Sequence, residues 1–452
     1  MSATTHKPSS AVIVGLGRTG LSCARYLRER GWRLAVTDTR PQPPQLAALR
    51  ALDPQIPLRL GALDTRLLDD ALCVVVSPGV PLEEPFLAEA RRRGLEIVGD
   101  IELFARAVDA PVAGITGTNG KSTVTTLLGR MAARAGVAVR VGGNLGEPAL
   151  DLLAAAHRAG EAIGLYVLEL SSFQLEATHS LDLSAAVVLN VSPDHLERHA
   201  SVAAYAEAKA RIFARCDTAV INLDDPLVVA MPRPGQRTLS FSLRAAIGAD
   251  YAVVIREGAA WLMRRGEPLL PVSALRIRGL HNAANALAAL ALGEALGLPL
   301  PSMLAELEAF PGLDHRTQWV AEVAGVTYID DSKGTNVGAT IAAVAGMEGP
   351  LVIIAGGEGK NQDFRALAAA FRGKVRRAVL IGRDGPLVGE ALRGVCTTEY
   401  CASLEEAVHA AAAAARPGDT VLLSPACASL DMFRDYAHRG AVFAHAVKEL
   451  AA

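Results

Sequence analysis

Three successive α/β domains, each on a largely parallel sheet, are what this sequence predicts. The chain has 452 residues, and domains average roughly 150. Short, continuously apolar runs alternate with helix-patterned segments from end to end, as strands covered on both faces require. Glycine-rich turns follow such runs at residues 15–20, 114–123 and 356–360.

In the first segment an apolar strand at 11–14 runs into Gly15-Leu16-Gly17-Arg18-Thr19-Gly20, then into a helix with apolar positions at Leu21, Ala24 and Leu27. Two further strands, RLAVTDTR and CVVVSPGV, end near Asp38 and at Pro78-Gly79. The second segment opens PVAGITGTNGKSTVTT, strand, glycine loop and helix, and adds strands in GLYVLELSS, SAAVVLNVSPDH and TAVINLDDP. The third carries TYIDDSK, PLVIIAGGEGK, RAVLIG and DTVLLSP with helices between. The expected limits are residues 1–99 for a Rossmann-like N-terminal domain, 100–312 for a central domain of P-loop ATPase type, and 313–452 for a Rossmann-like C-terminal domain.

Hydrophobic residues make up 51%, ample for several cores. A net charge of −2 supplies no field drawing the chain to nucleic acid or an anionic membrane. No run of about 18 apolar residues occurs, and the opening residues have no stretch of signal-peptide type. Cys23, Cys73, Cys216, Cys396, Cys401 and Cys427 form no CxxC pair and read as small core residues rather than zinc or redox sites. The expectation is a soluble, cytoplasmic chain with no nucleic-acid partner and no membrane insertion.

The GxGxxG with Asp38 about 20 residues later is a dinucleotide fingerprint, or only a tight strand-to-helix turn. A second phosphate loop in the same chain favours ATP chemistry over hydride transfer. That loop, Gly117-Thr118-Asn119-Gly120-Lys121-Ser122-Thr123, misses the strict Walker spacing, because Ile115 stands where its first glycine belongs. Small residues still let backbone N–H groups approach phosphate oxygens, Lys121 suits the β and γ phosphates, and Ser122 or Thr123 suits Mg2+. Glu169 ends a buried strand, where a carboxylate needs a metal or an ion-pair partner. His195 follows a strand end and reads as a ligand or as a structural histidine; Lys209, by itself, reads as a solvated lysine. Asn282 and Asn285 could cap a helix or read an adenine edge. His315, Arg316, Asp331 and Lys333 suit a second anion.

Together these motifs resemble the Mur ligases of peptidoglycan synthesis. GLGRTGLSC, GTNGKST, LELSSFQLE, NVSPDHLERH, HNAANALAA, DDSKGTNVGAT, GGEGKNQDF and LLSPACASLDMF occur in family order over nearly the whole chain. The GTNGKST spacing is shared with folylpolyglutamate synthetases. The resemblance implies an ATP-dependent amide ligase working through an acyl phosphate, with Mg2+, in two ions, as cofactor. Without an Asp-Asn-Pro-Arg motif in the third segment, D-glutamate is the expected amino acid and UDP-N-acetylmuramoyl-L-alanine the expected acceptor. It implies that Arg18, Thr19, Thr39, Arg40, Gly79 and Asn144 hold the UDP-sugar. Gly117 to Thr123, Asn282, Asn285, Arg316 and Asp331 would contact ATP. Ser122, Glu169, His195 and a carbamylated Lys209 would form the metal environment. Lys333, Thr335, Lys360, Ser429, Leu430 and Tyr436 would receive D-glutamate, with Tyr436 standing where the family has a Phe. Lys121, His195, Lys209 and Lys333 are then the expected catalytic residues, His195 being a candidate base by position, and the expected state is a monomer.

Overall fold

The computed structural model describes residues 9–244, 247–277, 279–347 and 349–450; the signal-peptide expectation rests on residues 1–8 and lies outside them. Among the described residues three sheets follow one another along the chain. The first has five parallel strands in the order Leu58–Leu60, Arg33–Asp38, Ser10–Val14, Cys73–Val76, Glu96–Val98. Its central strand is buried at every position, as a strand covered by helices on both faces must be.

The second sheet places the strand Val112–Thr116, which feeds the phosphate loop, between Leu183–Val188 and Leu165–Glu169. Register decides what meets there. Ile115 pairs with Glu169, Thr116 with Val188, and Gly143 with Glu169. The phosphate loop, the Glu169 carboxylate, Asn144 and Asn190 therefore leave the sheet at one level, at the carboxyl ends of the strands, where open α/β sheets collect ligands.

This sheet is longer than the sequence suggests. Arg237–Ser242 extends it in parallel, and Tyr251–Arg256, Ala259–Arg264 and Glu267–Pro271 complete nine strands, the last two antiparallel. Gly258 and Gly266, both at positive φ, sit in the two-residue turns that join them. The third sheet of six strands is parallel except for its edge strand Gln318–Val323, which returns antiparallel on Val326–Asp330.

The first and central domains share one apolar cluster. It runs from Ala11 through Phe104 and Leu150 to Val228, and Phe104 meets Tyr166 edge-on at 5.3 Å. The two clusters flanking the third sheet draw only on residues between 320 and 450 among the described residues. Cys23, Cys73, Cys216 and Cys427 are buried; Cys396 and Cys401 are half-buried. No helix among the described residues is long and apolar enough to cross a membrane.

Candidate active site

A first cavity of about 560 Å³ lies between the first and central domains. Arg18, Thr19, Thr39, Arg40, Gly79 and Asn144 all line it. The glycines of the first turn divide the work. A Cβ on Gly20 would collide with the Gly15 carbonyl, so this glycine lets helix and strand touch. Gly17 faces open space into the cavity, as a backbone approached by a diphosphate requires. Asp38 is occupied otherwise than in a dinucleotide site. Its carboxylate accepts from the Leu16 N–H at 2.7 Å and from the Arg40 guanidinium at 2.7 and 2.9 Å. Although burial opposes it, these bonds hold its pKa down at about 2.

A second cavity of about 370 Å³ lies between the central and third domains. Asn119, Gly120, Thr123, Asn282, Asn285, Arg316, Asp331 and Lys333 contribute to its wall. Asn282 and Asn285 do not cap their helix. Gly279 stands at the cap, and the Asn285 amide donates to Asn282 Oδ1 at 3.1 Å, which leaves both amides on the cavity wall.

The phosphate loop lines the second cavity and is linked by hydrogen bonds to the wall of the first. The side chain of Asn190 clamps it by accepting from the Asn119 N–H at 2.8 Å and donating to the Asn119 carbonyl at 3.1 Å. Gly120 has φ 86°, the left-handed conformation glycine adopts without cost, and starts the helix Lys121–Arg134. Ser122 Oγ donates to Glu169 at 2.6 Å and accepts from Arg316 Nη2 at 2.7 Å. The other Glu169 oxygen accepts from the Asn144 amide at 2.7 Å. One line of contacts thus runs from the first cavity through Asn144, Glu169 and Ser122 to Arg316 of the third domain.

The cations here have neutral partners. Lys121 Nζ donates to the Gly117 and Thr118 carbonyls, Arg316 to a hydroxyl, and Lys333 Nζ lies 3.9 Å over the Tyr436 ring. Burial pulls all three pKa values down, that of Lys333 to about 8, with Arg316 and Lys121 adding repulsion there. Such a cluster is completed by a polyanion. Opposite it, burial raises the Asp331 carboxyl to about 7, while Ser424 Oγ donates to it at 2.8 Å.

Lys209 overturns the solvated reading. It is 1% exposed, donates to the Gly117 carbonyl at 2.9 Å and lies 4.3 Å over the Tyr205 ring. Burial first, and Lys121 second, push its pKa well below the usual lysine range, which favours the neutral amine beneath the loop. His195, at φ 55°, packs edge-on against Phe173 at 5.0 Å and bonds Glu197 at 3.2 Å. Ser122 and Glu169 offer hard oxygens, the donor class Mg2+ prefers. Among the described residues no three His, Cys, Asp or Glu side chains form a metal cage. The residues present fit a Mg2+ ion that keeps phosphate oxygens and water in its shell.

Thr335, Lys360, Ser429, Leu430 and Tyr436 line neither of these two cavities. Ser429 is buried, whereas Leu430 is 65% exposed and Lys360 is exposed. The segments leading to Thr335 and to Ser429 are tied together by Arg439, which sequence reasoning missed. Its guanidinium is fully buried and donates to Ser332 Oγ, to the Ser332 carbonyl, and to the Cys427 and Ala428 carbonyls at 2.8–3.3 Å. Nothing local marks it, because these partners join only in the fold. His315, with Nδ1 2.6 Å from Asp330, steadies the turn that presents Arg316.

Comparison with known proteins agrees with this architecture. Residues 9–99 match the MurD-like N-terminal domain of Mur ligases, 115–293 the Mur ligase middle domain and 315–427 the Mur ligase glutamate ligase domain. The UDP-N-acetylmuramoylalanine–D-glutamate ligase of Methylococcus capsulatus is 52% identical, over 98% of this chain and 95% of that protein. The ligases of that name from Nitrosococcus oceani and Pseudomonas aeruginosa are 51% and 50% identical over similar spans. Among solved structures, a pseudomurein peptide ligase type C from Methanothermus fervidus superposes with a TM-score of 0.62 at 18% identity, covering 98% of this chain and 100% of that one. UDP-N-acetylmuramate–alanine ligase MurC from Thermotoga maritima gives 0.61 at 20% identity, over 97% and 99%. At such identities these two bear on the fold alone. The chain belongs to the Mur ligase family and groups within it with the MurD ligases.

Proposed function

We propose that this chain joins D-glutamate to the alanyl carboxylate of UDP-N-acetylmuramoyl-L-alanine at the expense of ATP, in peptidoglycan precursor synthesis. The observation that carries the reading is the line Asn144–Glu169–Ser122–Arg316, which connects the two cavities through the phosphate loop. In this reading the labour divides by domain. Residues 1–99 hold the UDP-sugar at Arg18, Thr19, Thr39, Arg40 and Gly79. Residues 100–312 hold ATP at the loop, Asn282 and Asn285, completed by Arg316 and Asp331. Residues 313–452 receive D-glutamate at Lys333, Thr335, Lys360, Ser429, Leu430 and Tyr436.

The alanyl carboxylate oxygen attacks the γ-phosphorus, the bond to the ADP oxygen breaks, and an acyl phosphate forms. The D-glutamate ammonium gives a proton to a base, for which His195 is the candidate by position; the amine then attacks the acyl carbon, and phosphate leaves with the former carboxylate oxygen. Positioning and charge neutralisation carry the first step. Lys121, Arg316 and Lys333 face the charge on the transferring group; burial depresses all three pKa values, so an anion placed among them is stabilised. Mg2+, when bound, supplies further neutralisation across the phosphates. Ser122 and Glu169 are its ligands in this reading, with His195 in the surrounding shell. A carbamate on Lys209 adds an anionic oxygen beneath the loop; a neutral amine adds CO2 and releases one proton, and burial shifts Lys209 toward that neutral form.

Phosphate release from ATP and Mg2+ tests the reading. Release that requires both UDP-N-acetylmuramoyl-L-alanine and D-glutamate is expected; equal release without either one contradicts it.

A further inference from the structure

We infer that Asn336 is a latch that holds the third domain closed on the phosphate loop, a positioning role that rests on reading this loop as the ATP site. Asn336 is 4% exposed and is the N-cap of the helix Val337–Gly346, where Oδ1 accepts from the Ala339 N–H at 2.8 Å. A cap needs only that oxygen. The amide nitrogen instead crosses to the central domain and donates to Asp194 Oδ2 at 3.2 Å and to Asn119 Oδ1 at 3.3 Å. Asn119 returns a bond to Asn336 Oδ1 at 3.4 Å. Asn119 is the loop residue between Thr118 and Gly120, clamped from the other side by Asn190.

Packing supports the contact independently of the bonds. A Cβ on Gly338, in the first turn of the same helix, would lie 3.1 Å from Ser192 Oγ and 3.6 Å from the Asn119 amide. The helix start is therefore flush against the central domain. Another polar bridge, Arg316 to Ser122, uses the hydroxyl that a loop-bound metal needs. Asn119 and Asp194 are not among the metal ligands of that reading, so metal binding does not compete with the latch. It holds Lys333, three residues earlier in the chain, at the reacting end of the loop.

Asn336→Asp separates the two jobs, because an aspartate caps as well as an asparagine but loses the donor and sets a carboxylate against Asp194. The expected result is an unchanged melting temperature, a larger radius of gyration by small-angle scattering with ADP and Mg2+, and kcat reduced about tenfold or more. Asn336→Asp combined with Asp194→Asn restores a donor and an acceptor in reversed order and is expected to be compact again. Asp194→Asn alone keeps the acceptor and is expected to stay compact. An Asn336→Asp variant as compact and active as the parent overturns the latch, as does a double variant as open as the single one. Scattering needs no turnover, so failure of the ligase reading would show in phosphate release while the latch could still be read.

Discussion

At the scale of single residues the site is built from charges held out of their usual state. Burial lowers the Lys209 pKa and so favours the neutral amine, the form in which a lysine takes up CO2. Labelling with 13C-bicarbonate is expected to give a carbamate carbon signal that Lys209→Ala lacks, and that variant is expected to lose about a hundredfold or more in kcat. Asp331 has the opposite shift, from 3.8 to about 7. Between those values the folded chain binds more protons than the unfolded one, so this group lowers stability as pH rises through that window. Asp331→Asn is expected to flatten that slope, by up to roughly 4 kcal/mol between pH 4 and pH 8 in denaturant titrations of the free chain. A slope equal to the parent's would remove Asp331 as its source. Neither shift is written in the sequence. Lys209 sits in a helix of ordinary composition, and only packing against Tyr205 and the loop buries it. For Glu169 the sequence predicts a partner, because a carboxylate closing an apolar strand needs one, and the structure supplies Ser122 and Asn144.

At the scale of elements, strand–loop–helix units are where sequence reading worked best. Apolar runs and glycines at fixed offsets encode backbone demands directly. Gly120→Ala would force a side chain into the left-handed region and against Asn285 Oδ1. The expected outcome is a KM for ATP raised about tenfold or more with the melting temperature little changed, because the clash lies in the cavity rather than the core. Arg439 shows what the elements hide. Its partners lie up to 107 residues away, so no local pattern announces that it braces two loops. Arg439→Met leaves those carbonyls unpaired and is expected to cost about 2–4 kcal/mol in chemical denaturation. If the loops receive the amino acid, KM for D-glutamate rises in the same variant while KM for the UDP-sugar does not. The antiparallel strands at 259–271 escaped notice for another reason. They sit at the sheet's margin and are joined by two-residue turns, without the intervening helix that marks the strand–loop–helix units.

At the scale of the whole molecule, the first two domains are fused by a common core, whereas the third meets the phosphate loop through side-chain hydrogen bonds. Apolar fusion fixes the walls of the first cavity. Polar contact lets the third domain leave and return without exposing a core. The order of the domains was legible from three glycine turns; how they meet was not, since Asn144, Asn119 and Arg316 come from segments far apart in sequence. The central claim is that the two cavities meet so that the acceptor carboxylate takes phosphate from ATP. Oxygen-18 in the alanyl carboxylate of UDP-N-acetylmuramoyl-L-alanine tests this most directly, with released phosphate read by mass spectrometry. The expected result is one labelled oxygen in each phosphate released. Unlabelled phosphate, formed at the same rate as the amide product, would contradict it.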